Sequence, residues 1–227
     1  MAAPPTDNIR YDALVERLFP NFHPAKPVWP VHTRLALWLT LELGILLVGL
    51  GTHRADLPQK LQSTQYLLEL GIFIAMGMVA AVLALKTAIP GREANRNELA
   101  LLTIMALSAI ILISCEPSSN NASLTQFIHA GIPCALFTCM FAALPWLGLF
   151  WAVRRGAPLA LQTAGALIGV AAFAFAFAIC RLRCPIEDSL HFLIWHMLPG
   201  FLGVLLSILA GMGWLRRKRF APLSRTQ

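Results

Sequence analysis

Between Cys180 and His196 the chain reads Cys180-Arg181-Leu182-Arg183-Cys184-Pro185-Ile186-Glu187-Asp188-Ser189-Leu190-His191, then Phe192 through Trp195-His196. Two thiols, two carboxylates and two imidazoles crowd a short hinge between long apolar runs, and a further thiol, Cys134, lies fifty residues upstream. Thiols can be oxidised, and as thiolates with imidazole they suit zinc, cadmium or cuprous copper. Paired CxxC spacing is absent, so a metal site would draw its ligands from different segments, Cys134 and Cys184 with a histidine such as His191. Taken singly, His129, His191 and His196 read as interfacial residues. Cys115, Cys139 and Cys180 read as small packing residues.

The elements that must position these groups are membrane spans. The chain is 57% hydrophobic and 13% charged, with a mean hydropathy of +0.66, against about half apolar and a quarter charged for a soluble domain. Six apolar runs, at 34–51, 66–86, 98–114, 128–153, 157–180 and 190–215, approach or exceed the ~20 residues that cross hydrocarbon. The expected fold is all-α, a polytopic bundle of six transmembrane helices over residues 34–215. A cytoplasmic N-terminal segment (1–33) precedes it and a basic cytoplasmic tail (216–227) follows. No basic region followed by an apolar core opens the chain, so no signal peptide is expected to be removed.

Orientation follows from Lys and Arg. Fourteen of the eighteen, among them Arg34, Lys86, Arg154, Arg155 and Arg216 to Arg219, fall on one side of the alternating spans. The positive-inside rule makes that side, with both termini, cytoplasmic. The formal net charge of +7 is therefore an orientation signal, and no direct nucleic-acid partner is expected. All five cysteines then fall in the outer half of the bilayer or just beyond it, where redox state can change.

Near the N-terminus, Tyr11, Leu14, Val15, Leu18 and Phe19 repeat at i, i+3, i+4, i+7 and i+8, one apolar face of a helix that Pro20 ends. Such a face can lie on the bilayer or dock on a soluble partner. Pro24, Pro27 and Pro30 make the following connector stiff and extended. Glu42, near the middle of the first run, and Glu69, near the outer end of the second, are carboxyls at membrane depth, which usually face the bundle interior. A protonated Glu42 would suit a hydrogen bond with Thr40 or with a neighbouring helix. Gly44, Gly49 and Gly51 in the first run, and Gly165 and Gly169 in the fifth, permit close helix approach.

Several short stretches carry a family resemblance. They are Leu67-Leu68-Glu69-Leu70, Ala88-Ile89-Pro90-Gly91-Arg92, Arg154-Arg155-Gly156-Ala157-Pro158, Gly165-Ala166-Leu167-Ile168-Gly169, and Cys184-Pro185 followed by Trp195-His196. Together they resemble the NrsF-type anti-sigma factors, six-span bacterial inner-membrane proteins that hold an extracytoplasmic-function (ECF) sigma factor inactive. The resemblance implies signal response through one cysteine in the fourth span and one in the hinge, which Cys134 and Cys184 match by position; Cys139 rivals Cys134.

The expected function is therefore that of an anti-sigma factor rather than an enzyme. It would sequester an ECF sigma factor at the membrane and release it on a periplasmic redox or heavy-metal signal, with no resident cofactor. The alternative is a thiol oxidoreductase or haem-binding electron-transfer protein built on the outer Cys/His cluster. An exporter resting on Glu42 ranks third.

Overall fold

The computed structural model describes residues 29–51, 53–115 and 123–215. The expected partner face (Tyr11, Leu14, Val15, Leu18, Phe19) and the tail 216–227 lie outside them. Six helices are long and apolar enough to cross a membrane: α1 (Val31–Leu50), α2 (Thr64–Thr87), α3 (Arg96–Ser114), α4 (Leu124–Arg154), α5 (Leu161–Arg183) and α6 (Ser189–Leu215). Among the described residues there is no strand. The all-α, six-span expectation holds, with helix ends displaced from the apolar runs by a few residues.

Those displacements have local causes. Ser63 caps α2, while Asn95 with Glu98 and Ser123 with Gln126 form capping boxes that start α3 and α4. The second box begins α4 at Leu124, four residues before the apolar run. At 31 residues, α4 is about 46 Å long, well beyond the ~30 Å hydrocarbon core. Pro90 and Gly91 turn the chain after α2, Gly91 at φ +78°, a conformation that disfavours residues bearing a Cβ. Pro185 stops α5, because the residue before a proline is pushed out of the helical region. Accordingly Cys184 sits at φ −72°, ψ 120°.

Helix α5 is the hub. Of its apolar window 78% is buried, against 17% in α3 and 22% in α1, α4 and α6. Its alanines and glycines let the others approach closely. A Cβ on Gly165 would stand 2.5 Å from the Ser207 carbonyl oxygen of α6, and one on Gly169 would stand 3.0 Å from Val204 Cα. Ser207 donates to the Gly165 carbonyl (2.6 Å) and Trp146 of α4 donates to Ser207 (2.8 Å), so polar groups tie the same contact. In α1 it is Gly49 that meets α5, at Ile179, whereas Gly44 faces open space.

Polarity is arranged as lipid demands. Leu47, Val48, Ile104, Ile111, Leu136 and Leu206 are exposed, while Arg34, Glu42, Glu69, Arg181 and His196 are buried. Glu69 pairs with Arg181 at 2.6 Å, and the Arg181 guanidinium also lies over the Tyr66 and Phe192 rings. Among the described residues both oxygens of Glu42 lack a hydrogen-bond partner, and Thr40 bonds back to the Ala36 carbonyl.

The bundle has two distinct faces. Arg34, at the start of α1, donates to carbonyls of Leu85 and Ala152 near the ends of α2 and α4. Arg154 and Arg155 stack on Trp214 and Trp151 at that same face. The α1–α2 and α5–α6 connections, and with them Cys184, lie at the opposite face.

Candidate functional site

Cys134 belongs to α4 and Cys184 to the end of α5, and their sulfurs stand 3.9 Å apart. His191 places Nε2 3.6 Å from the Cys184 sulfur. With His196 they form a group of four whose ligand atoms all lie within 4.8 Å of one another. Cys134 is half-buried; Cys184, His191 and His196 are buried. The structure thus brings Cys134, Cys184 and His191 together and adds His196. Cys115 and Cys139 are exposed and His129 is exposed, so none of these three joins the group. His191 and His196, read singly as interfacial, are each 1% exposed, covered by their neighbours in the bundle.

Two helical irregularities make this possible. On an α-helix, residues five apart lie about 140° apart around the axis, so His191 and His196 would diverge. Instead α6 widens into a π-helical turn over Leu193–Met197, where residues five apart fall near one face. Pro199 supplies a cause, since a proline inside a helix has no N–H to donate and crowds the carbonyl four residues back, here that of Trp195. The other irregularity is the extended Cys184, which turns its thiol from the α5 axis toward α4 and α6.

Aromatic packing fixes the imidazoles. Phe192 stacks on His196 at 4.7 Å between centroids, and Phe127 meets His191 edge-on at 6.2 Å. Trp195 lies across Gly131 of α4: a Cβ there would stand 2.0 Å from the indole. Gly131→Ala must therefore displace Trp195 and with it the π-helical turn. We expect that variant to lose about 1–3 kcal/mol, the usual cost of overpacking, and to widen the Cys134–His196 separation. Thermal unfolding and the rate of thiol alkylation check this.

Thr138, one turn after Cys134, holds His196 from behind. Its hydroxyl donates to the Cys134 carbonyl at 3.0 Å and lies 2.8 Å from His196 Nδ1 and 3.4 Å from the Cys180 sulfur. The Nε2 atom of His196 has no nitrogen or oxygen partner among the described residues and belongs to the group of four that contains both sulfurs.

The hinge is clamped from the α1–α2 connection. Arg54, itself buried, forms a fork with Asp56 (2.6 Å to each oxygen), pairs with Glu187 at 2.5 Å, and donates to the Cys184 carbonyl at 3.1 Å. Lys60 also pairs with Glu187, at 2.5 Å. The Arg54 hydrogen bonds hold the Asp56 carboxyl below its usual range. At Glu187 burial pushes upward, but Lys60 and Arg54 prevail and hold it low as well. The Cys184 thiol is pulled down chiefly by its hydrogen bond with Cys134, against its burial, with His191 adding to the pull.

Sequence reasoning missed Thr138, Arg54 and the full burial of His196. A signal for Thr138 was present, since i and i+4 place it on the Cys134 face of α4. Chemically, two close thiols with two imidazoles can form a disulfide or ligate a thiophilic cation. A cleft of about 150 Å³ beside Cys134, walled by Pro133, Phe137, Phe141 and Arg183, reaches the sulfurs. That volume is below the ~300 Å³ of the smallest ordinary ligand pockets.

A family model described as NrsF, negative regulator of sigma F, matches residues 20–217. No curated protein and no solved structure matches the chain.

Proposed function

The chain belongs to the NrsF family, negative regulators of sigma F, and on that premise we propose that it is a membrane-bound anti-sigma factor that senses its signal at Cys134 and Cys184. It holds an ECF sigma factor at the cytoplasmic face of a bacterial inner membrane, both termini on that face. It releases the factor when a periplasmic oxidant or thiophilic metal changes the state of the two thiols. The apolar face of Tyr11, Leu14, Val15, Leu18 and Phe19 supplies the grip.

The observation that carries this reading is the Cys134–Cys184 pair: two sulfurs 3.9 Å apart, from different helices, at the bundle face opposite Arg34, Arg154 and Arg155. A covalent or coordinate link there ties α4 to the α5–α6 hinge. Because α5 packs on α1, α2, α4 and α6, a shift at its outer end is carried to their inner ends. Close-packed interfaces change between discrete arrangements rather than yielding gradually. Their inner ends then present a different surface to the sigma factor.

The test is co-sedimentation. Membranes bearing the full chain are expected to retain its sigma factor when thiols are reduced and metal is chelated, and to lose it when cadmium or a thiol oxidant is added from the periplasmic side. Retention that is the same under all three conditions defeats the sensor assignment, and no retention at all defeats the anti-sigma assignment.

A further inference from the structure

We propose that Cys134, Cys184, His191 and His196 are the four ligands of one tetrahedral site for a thiophilic divalent cation of the zinc and cadmium class. This rests on the thiol-sensor reading above and narrows it, from two sulfurs that respond to something to a defined coordination sphere.

Spacing is the first argument. Around one zinc ion, with sulfur at about 2.3 Å and nitrogen at about 2.0–2.1 Å, tetrahedral ligands stand about 3.8 Å apart sulfur to sulfur and about 3.5 Å sulfur to nitrogen. The Cys134–Cys184 separation is 3.9 Å and the Cys184–His191 Nε2 separation is 3.6 Å, and the remaining pairs lie within 4.8 Å. A disulfide switch would need only the sulfurs and leaves the two imidazoles without a task.

The second argument is the orientation of His196. Thr138 gives its hydroxyl proton to the Cys134 carbonyl, so its oxygen can only accept from His196 Nδ1–H. The proton is thereby placed on Nδ1, and the lone pair on Nε2. That atom lies in a residue 1% exposed and, among the described residues, has no nitrogen or oxygen partner and only the thiol sulfurs of the group beside it, a setting that favours a soft cation shared between them. A ligating histidine held through its other nitrogen is the usual supporting arrangement of metal sites, and Thr138 is the positioning residue here.

Charge decides the ion. Two thiolates, two neutral imidazoles and a divalent cation sum to zero, the balance a buried site tolerates best. A monovalent copper ion would leave a net negative charge, and hard magnesium or calcium ions would want oxygen ligands. On binding, the thiol protons leave to bulk water.

Reduced full-length protein in detergent, stripped with chelator, is titrated with cadmium alone. The thiolate-to-cadmium charge-transfer absorbance is expected to saturate at one equivalent per chain, and cobalt is expected to give the intense visible bands of a tetrahedral sulfur–nitrogen site. Cys134→Ser abolishes both signals. His196→Ala and His191→Ala each weaken binding at least tenfold, and His129→Ala changes nothing. Thr138→Val weakens binding about 10–100-fold, and Thr138→Ser restores it, which a merely folded-state defect would not do. Zinc retained through purification marks a resident ion and cadmium taken up only by stripped protein marks an incoming one; either outcome supports the site. Full-strength cadmium and cobalt bands in the His191→Ala, His196→Ala double variant overturn it. So does the absence of any band while oxidant-driven sigma release still requires Cys134, a result that leaves the sensor reading intact. Sigma release indifferent to both cysteines removes the sensor reading instead.

Discussion

Replacing Cys184 with serine is expected to leave the sigma factor at the membrane when cadmium or a thiol oxidant is applied, with retention in the absence of signal unchanged. The magnitude follows from what a switch requires. Moving the factor from about 1% to 99% free takes about 5.5 kcal/mol of differential stability, a ratio of roughly 10⁴. Serine keeps the size of the side chain and its place before Pro185, so the hinge still folds, but a hydroxyl neither forms a disulfide nor ligates a soft cation. Cys134→Ser is expected to give the same result, and the double variant no more than either alone, since the thiols act as a unit. Cys139→Ser and Cys115→Ser, at exposed positions, are expected to respond as the unaltered chain does. Sigma-dependent transcription measured with and without cadmium, and separately with an oxidant, checks all five variants. Induction in Cys184→Ser equal to that of the unaltered chain rejects the assignment.

Magnitudes also rank the two triggers. A disulfide is worth about 2–4 kcal/mol, short of the requirement, whereas ligation of zinc by such a set is worth about 10–16 kcal/mol. On the proposed reading, metal alone is expected to give the full induction and oxidation alone the smaller one. The preorganised hinge favours the same order. Arg54 holds the Cys184 carbonyl at 3.1 Å and its two carboxylate partners hold Arg54, so little ordering remains to be done when a cation arrives.

How far the sequence reached, and where it stopped, has physical reasons. The six spans were legible because lipid requires about 20 apolar residues whatever the packing. The choice between Cys134 and Cys139 needed the phase of α4. Five residues on an α-helix turn about 140°, so the two cannot both face α5, and Thr138, one turn from Cys134, marks the inward side. His196 was illegible because periodicity assumes an unbroken α-helix, and the π-helical turn over Leu193–Met197 rotates it around the axis toward the side of His191. Arg54 was illegible for a different reason. Its partners Asp56, Glu187 and Cys184 are drawn from two connections, and only the assembled bundle brings these together. Glu42 reads as buried in both, and of the two partners open to it Thr40 bonds to its own helix instead.

Leu14→Asp combined with Leu18→Asp is expected to abolish capture of the sigma factor while leaving membrane insertion and the thiol site unchanged. Arg34, bonded to carbonyls of Leu85 and Ala152, fixes the start of α1 at the face where α2 and α4 end. Residues 29–33 therefore lie at the end of the bundle opposite Cys184, on the side carrying Arg154 and Arg155. Leu14 and Leu18 stand four residues apart on the apolar face of the predicted helix, and central apolar anchors in such grooves cost 2 kcal/mol or more each when lost. Burying a carboxylate in their place costs further, so the pair is expected to weaken binding by at least about 10³-fold. Arg10→Ala and Glu16→Ala, on the opposite face, are expected to change affinity little. The measurement is binding of purified sigma factor to the full chain in nanodiscs, with cadmium titrated into the same samples to show that the sensor remains whole. If the helix instead lies on the bilayer, the double variant detaches it from lipid and the sigma factor still binds with unaltered affinity, and the grip must then be sought on the connections between the spans.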